Sequence, residues 1–180
     1  MRTLALLFTS LFLASSLPAG EVPRPVTELT LRRLQQPPLK LSTFRGKIIA
    51  LAFIHTTCSH CQQLTVLLNK IQPEYASKNV QVVAAAYEEG VDQNYPMYLK
   101  VIGPKFPTGI VAEADVKKFV KWNQKVDGGL MVPYMLFIDA KGVIRGDFNG
   151  KDGFYVEMEK NIRAQLDKMT QPAPAPAKKK

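Results

Sequence analysis

Lys47 to Leu68 reads KIIALAFIHTTCSHCQQLTVLL, and the architecture of the whole chain follows from this stretch. Ile48 to Ile54 is an unbroken apolar run with the length and β-branched content of a strand buried on both faces. Four residues later comes Cys58-Ser59-His60-Cys61. Leu64, Leu67, Leu68 and Ile71 then recur at the spacing of one apolar helix face. The segment therefore predicts a strand, a short loop, and a helix whose first turn carries a Cys-x-x-Cys pair. A helix N-terminus presents unpaired N–H groups and the positive end of the macrodipole, which favour an anion there. The fitting anion is the Cys58 thiolate, the nucleophilic form of cysteine.

The chain has 180 residues, a length that predicts one domain with a sizeable core. Residues 1–20 read as a secretory signal peptide: Arg2, then the apolar core LALLFTSLFL, then a small-residue exit cleaved between Ser16 and Gly20. The apolar run is short for a membrane span. Residues 21–38 read as an extended, proline-punctuated lead-in in which Leu29 and Leu31 could form a short edge strand. The folded domain is expected over 39–169, and 170–180, with PAPAPA and three lysines, as a disordered tail.

Only two cysteines occur, and both lie in the Cys58–Cys61 pair. A small secreted domain stapled by disulfides would carry more of them at wider spacing. A bridge across so short a loop restricts the unfolded chain little, so the pair points to redox chemistry. Part of the formal net charge of +9 resides in Arg2 and Lys178–Lys180, and no basic patch interleaved with aromatics supports a nucleic-acid partner. Membrane contact is expected only through the tail or an uncleaved signal, and the chain is expected to be a monomer.

Val80 to Ala86 predicts a second buried strand, joined to the first by the helix in a right-handed, parallel crossover. That helix should kink or end near Pro73, with a further turn to Ser77. Residues 87–129 form a long insert with a helix over Val91 to Val101, a short strand at Ile110-Val111 and a helix over Asp115 to Trp122. Such a connection either has a task of its own or covers a sheet edge. Met135 to Ile138 and Val143 to Phe148 pair as a hairpin around the turn residues Asp139 to Gly142. A last helix is expected from about Asp152 to Lys168, with Tyr155, Met158, Ile162, Leu166 and Met169 as its buried stripe.

Leu41-Ser-Thr-Phe-Arg-Gly-Lys47, Cys58-Ser-His-Cys61, Val132-Pro133 and Phe137-Ile-Asp-Ala-Lys-Gly-Val-Ile144, in this order, resemble the thioredoxin superfamily, and within it the secreted TlpA/ResA-like redoxins, thiol–disulfide oxidoreductases of the bacterial envelope. The resemblance spans roughly residues 39 to 168. It implies an α/β thioredoxin-like fold, a central mixed sheet with helices on both faces. It further implies a redox-active Cys58–Cys61 disulfide exchanging with client protein thiols or disulfides and with a further redox partner, without a cofactor, in the periplasm or outside the cell. Pro133 is expected to be cis and to face the cysteines, with Thr57, Val132 and Pro133 lining the client groove. Three departures stand out. Thr57 replaces the family's usual Trp, Ala52 replaces the buried acid of many thioredoxins, and Leu64 replaces the acid that secreted reductants often carry three residues after the second cysteine. That acid normally accepts the resolving thiol's proton, and its absence argues against efficient reduction. His60, inside the pair, can stabilise the Cys58 thiolate and so favour an oxidant or mid-potential exchanger over a strong reductant.

Two other classes compete. His55, Cys58, His60 and Cys61 could bind Cu(I) or zinc, although their placement at a helix start makes convergence awkward. A non-enzymatic binding module with a vestigial pair is the third reading. His55 itself, near the strand end, is expected to pack in the loop and not to take part in chemistry.

Overall fold

The computed structural model describes residues 21–122 and 130–171. The expected signal peptide and all but the start of the tail lie outside them. An eight-stranded mixed sheet forms the centre, in the order β1-β8-β7-β4-β5-β6-β2-β3. Its strands are β1 (Arg24–Pro25), β2 (Thr30–Arg33), β3 (Gln36–Lys40), β4 (Ile48–Ile54), β5 (Val80–Ala86), β6 (Thr108–Ile110), β7 (Tyr134–Ile138) and β8 (Val143–Phe148). The helices are α1 (Ser59–Ala76), α2 (Val91–Val101), α3 (Glu113–Phe119) and α4 (Met158–Thr170).

All seven residues of β4 are buried, and successive side chains serve opposite cores as the pleat requires. Ile48, Ala50, Ala52 and Ile54 face a cluster built with α1, α2 and α4 through Leu64, Leu68, Tyr95, Tyr98, Ile162 and Leu166. Ile49, Leu51 and Phe53 face the other core, with Leu41, Phe44, Val116 and Phe119. The predicted α1 stripe, Leu64, Leu67, Leu68 and Ile71, is buried throughout. Alanines fill half of the β4 and β5 positions beneath the helices (Ala50, Ala52, Ala84 and Ala86), and small side chains there let the helices seat closely on the sheet.

β4 runs parallel to β5, with Ile54 opposite Ala86, and antiparallel to β7, with Phe53 opposite Tyr134. The end of β4, the end of β5 and the beginning of β7 therefore meet at one edge of the fold. That register brings the loop carrying Cys58 together with the segments that follow β5 and precede β7.

Several local expectations shift. The lead-in folds into β1, β2 and β3, so residues 24–40 supply both outer margins of the sheet. α1 runs on to Ala76 with Pro73 inside it. The second insert helix covers Glu113–Phe119 instead of Asp115 to Trp122, with Glu113 and Asp115 in its first turn, where they complement the dipole. The closing helix begins at Met158 after a separate 3-10 turn, Gly153–Tyr155. The 87–129 insert supplies β6, which joins β5 in parallel and receives β2 on its other side.

The β6–β2 junction is tight. A Cβ added at Gly109 would lie 2.6 Å from Leu31 Cβ and 2.8 Å from the Arg32 carbonyl oxygen. Gly109→Ala is therefore expected to destabilise the fold by about 1–3 kcal/mol, because backbone must move to admit the methyl group. Urea unfolding of the variant against wild type measures this.

Candidate functional site

Cys58 caps the N-terminus of α1 in an extended conformation, and its amide donates to the His55 carbonyl at 3.2 Å. It is half-buried, whereas Cys61, one turn on, is sealed at 0% exposure. Both are thiols, and the Cys58 side chain is a close enough neighbour to act on the Cys61 thiol. Burial pushes the Cys61 thiol well above the ordinary cysteine range. A hydrogen bond with the His55 backbone works against this, while the neighbouring Cys58 sulfur and the charge of Glu88 push the same way as burial. One sulfur is thus open to a partner, and the other is held protonated and shielded behind it.

His60 is solvent-exposed in the first turn of α1, and Thr57 is exposed in the preceding turn. His55 packs edge-on against Tyr87, with ring centroids 4.7 Å apart, consistent with a packing role. Among the described residues, no three His, Cys, Asp or Glu side chains converge where they could hold a metal ion.

The strand register brings Val132 and Pro133, at the entrance of β7, to the edge where β4 ends. The Val132–Pro133 peptide bond is cis. Val132 and Cys58 pack against the same apolar cluster. Met131 is held from the far side: its amide donates to Asn149 Oδ1 at 3.1 Å, and its carbonyl accepts from the Gly150 amide at 3.0 Å. Gly150 comes so near that a Cβ there would sit 2.9 Å from the Met131 carbonyl group.

Sequence reasoning missed Glu88. It follows β5, thirty residues after Cys58, and the parallel pairing of β4 and β5 carries it to the same edge. Its two carboxylate oxygens accept from the Thr56 backbone amide, at 2.7 Å, and from the Thr56 hydroxyl. The only sequence cue was an acid two residues past the end of a predicted strand. Tyr87 and Tyr98 stand nearby, and burial raises both of their hydroxyl pKa values. Tyr98 is hydrogen-bonded to the Thr65 hydroxyl at 3.0 Å, and Thr65 in turn donates to the Cys61 carbonyl at 2.9 Å.

Comparison with known proteins agrees with this arrangement. The chain is 23% identical over 150 residues to the thiol-disulfide oxidoreductase ResA of Bacillus thuringiensis subsp. konkukian, covering 83% of this chain and 79% of that protein. Among solved structures, it is similar to a thioredoxin-family thiol:disulfide interchange protein from Chlorobium tepidum (TM-score 0.62, 22% identity, 82% of this chain and 99% of that one). It is also similar to a DsbF homologue from Corynebacterium diphtheriae (TM-score 0.65, 16% identity, 81% and 87%). These structures share the thioredoxin-like α/β fold. With the AhpC/TSA profile matching residues 22–153, which include both cysteines and the Val132–Pro133 bond, the chain belongs to the AhpC/TSA family within the thioredoxin superfamily.

Proposed function

We propose that this protein is a thiol–disulfide oxidoreductase that exchanges a Cys58–Cys61 disulfide with client proteins in the bacterial cell envelope, and that it works as an oxidant or mid-potential exchanger. The observation that carries this reading is the asymmetry of the pair: an accessible sulfur at a helix N-terminus, beside a sealed one in the next turn. Cys58 is the nucleophile. In oxidation of a client, a client thiolate attacks the Cys58 sulfur, the Cys58–Cys61 bond breaks, and Cys61 leaves as a thiolate that takes up a proton. A second client thiol then attacks the mixed disulfide and releases reduced Cys58. In the reverse direction Cys61 resolves the mixed disulfide. Thr57 and Val132 line the client groove above the buried Pro133, and exposed Met131 extends it with apolar surface. The envelope location rests on the signal-like character of residues 1–20.

His60 is the lever toward oxidation. A histidine beside the Cys58 thiolate stabilises the reduced form, which strengthens the disulfide as an oxidant. Redox equilibration of the full chain against glutathione, read by mass after alkylation, gives the potential of the couple. His60→Pro is expected to lower it by about 30 mV or more. An unchanged potential removes His60 from the mechanism, and a wild-type pair that never equilibrates with glutathione removes the whole proposal.

A further inference from the structure

Thr56 is buried, and each of its polar groups is taken. Its amide and hydroxyl donate to the two oxygens of Glu88, and its carbonyl accepts from Gln62 Nε2 at 2.8 Å. One partner comes from the end of β5 and the other from the first turn of α1, directly after Cys61. The turn from His55 to Cys58 is thus gripped from two sides. The same turn reaches Cys61, on whose thiol the His55 backbone acts. Cys61 and the Glu88 carboxylate therefore engage adjoining residues, His55 and Thr56, of one short loop. Both oxygens of the carboxylate are engaged by this one residue, which fixes the group at this edge.

Building on the thiol–disulfide reading above, we propose that Glu88 is the positioning residue of the cysteine pair: through Thr56 it fixes the loop that presents Cys58, and it places a carboxylate beside the couple that restrains its oxidising power. The two acids expected from the resemblance are absent at positions 52 and 64, and Glu88 supplies a carboxylate at this edge from a different element.

The sign follows from the electron balance. Oxidising a client dithiol forms one client S–S bond, breaks the Cys58–Cys61 bond, and moves two electrons onto the pair. The client's two protons go to the pair's sulfurs or, where a sulfur stays ionised, to solvent. The disulfide is neutral, whereas the reduced pair carries negative charge whenever a thiolate is populated. A fixed carboxylate nearby raises the energy of that reduced form alone, so the disulfide accepts electrons less readily. Glu88 and His60 pull in opposite directions, which places the couple at a middle potential.

The test is the glutathione equilibrium constant of the full-length protein at one mildly alkaline pH. Glu88→Gln keeps the clamp, because the amide oxygen accepts from the Thr56 amide and its NH₂ donates to the rotated hydroxyl. It is expected to raise the constant toward the reduced form by about tenfold, the size of one unit charge acting across roughly 10 Å of partly buried protein, which for two electrons is about 30 mV. Thr56→Val keeps the charge, loses one bond, and is expected to stay within about twofold of wild type. If E88Q does not fold, the double variant E88A/T56V removes charge and hydroxyl together, and the same rise is expected from it. A charge-removing variant within about twofold of wild type overturns the proposal, as does a Thr56→Val shift as large as that of E88Q. A wild-type protein that does not exchange at all overturns the oxidoreductase reading instead, and this is read before any variant is made.

Discussion

Cys58→Ser is expected to abolish disulfide exchange, with a loss on the order of 10³-fold or more, whereas Cys61→Ser is expected to leave the protein stalled as a mixed disulfide on its client. The two outcomes differ because the two sulfurs differ in access. Cys58 is half-buried at the helix N-cap, and Cys61 is fully enclosed beneath it. Only Cys58 can meet a client sulfur without unfolding the first turn of α1. After the attack of Cys58 on a client disulfide, the second bond change requires a thiol within one helical turn, and Cys61 is the only other cysteine in the chain. Serine at 61 cannot form that bond, so the client stays attached. Non-reducing electrophoresis of each variant incubated with a disulfide-bonded substrate, alongside turnover in an insulin-reduction assay, separates the cases. Brief alkylation of the reduced native protein should modify Cys58 alone. Equal labelling of both sulfurs would contradict the enclosure of Cys61, and residual turnover in Cys58→Ser would remove it as nucleophile.

The second large effect lies away from the cysteines. Arg24, in β1, is 1% exposed and ion-paired with Asp147 of β8, which also accepts from the Tyr134 hydroxyl. Burial pushes the Asp147 carboxyl above the ordinary aspartate range, against the opposing pull of Tyr134 and Arg24. Two charges held away from water depend on each other. Arg24→Ala leaves an unpaired buried carboxylate and is expected to cost about 3–5 kcal/mol, a fall in Tm of about 10 °C or more. Arg24→Met together with Asp147→Leu removes both charges and is expected to recover more than half of that loss. Differential scanning calorimetry on the two variants decides the matter. If the double variant is as unstable as the single one, packing of the arginine stem, and not the stranded charge, is the cause.

The central part of this architecture was open to reading from the residues alone. β4, β5 and the apolar face of α1 are fixed by hydrophobic periodicity, a local property, and the Cys-x-x-Cys spacing marks the helix start that carries it. Glu88 and Arg24 were not legible, for a common reason. Each acquires its role from a neighbour distant in the chain, Thr56 in one case and Asp147 in the other, and only the strand order brings those partners together. The lead-in was legible as extended chain with a short strand near Leu29 and Leu31, but its prolines hid β1 and β3. In the structure Pro25, Pro37 and Pro38 occupy these marginal strands, where a missing N–H is tolerated. The helix limits near 113 and 158 shifted because capping depends on where the preceding loop is anchored, which no window of sequence records.

Those prolines bear on how the borders of the sheet meet other chains. The two outermost ladders, β1 and β3, contain Pro25 and the Pro37-Pro38 pair, so at these positions the backbone has no hydrogen to offer an approaching chain. Borders without these donors are guarded against templating the growth of other polypeptides into fibrils.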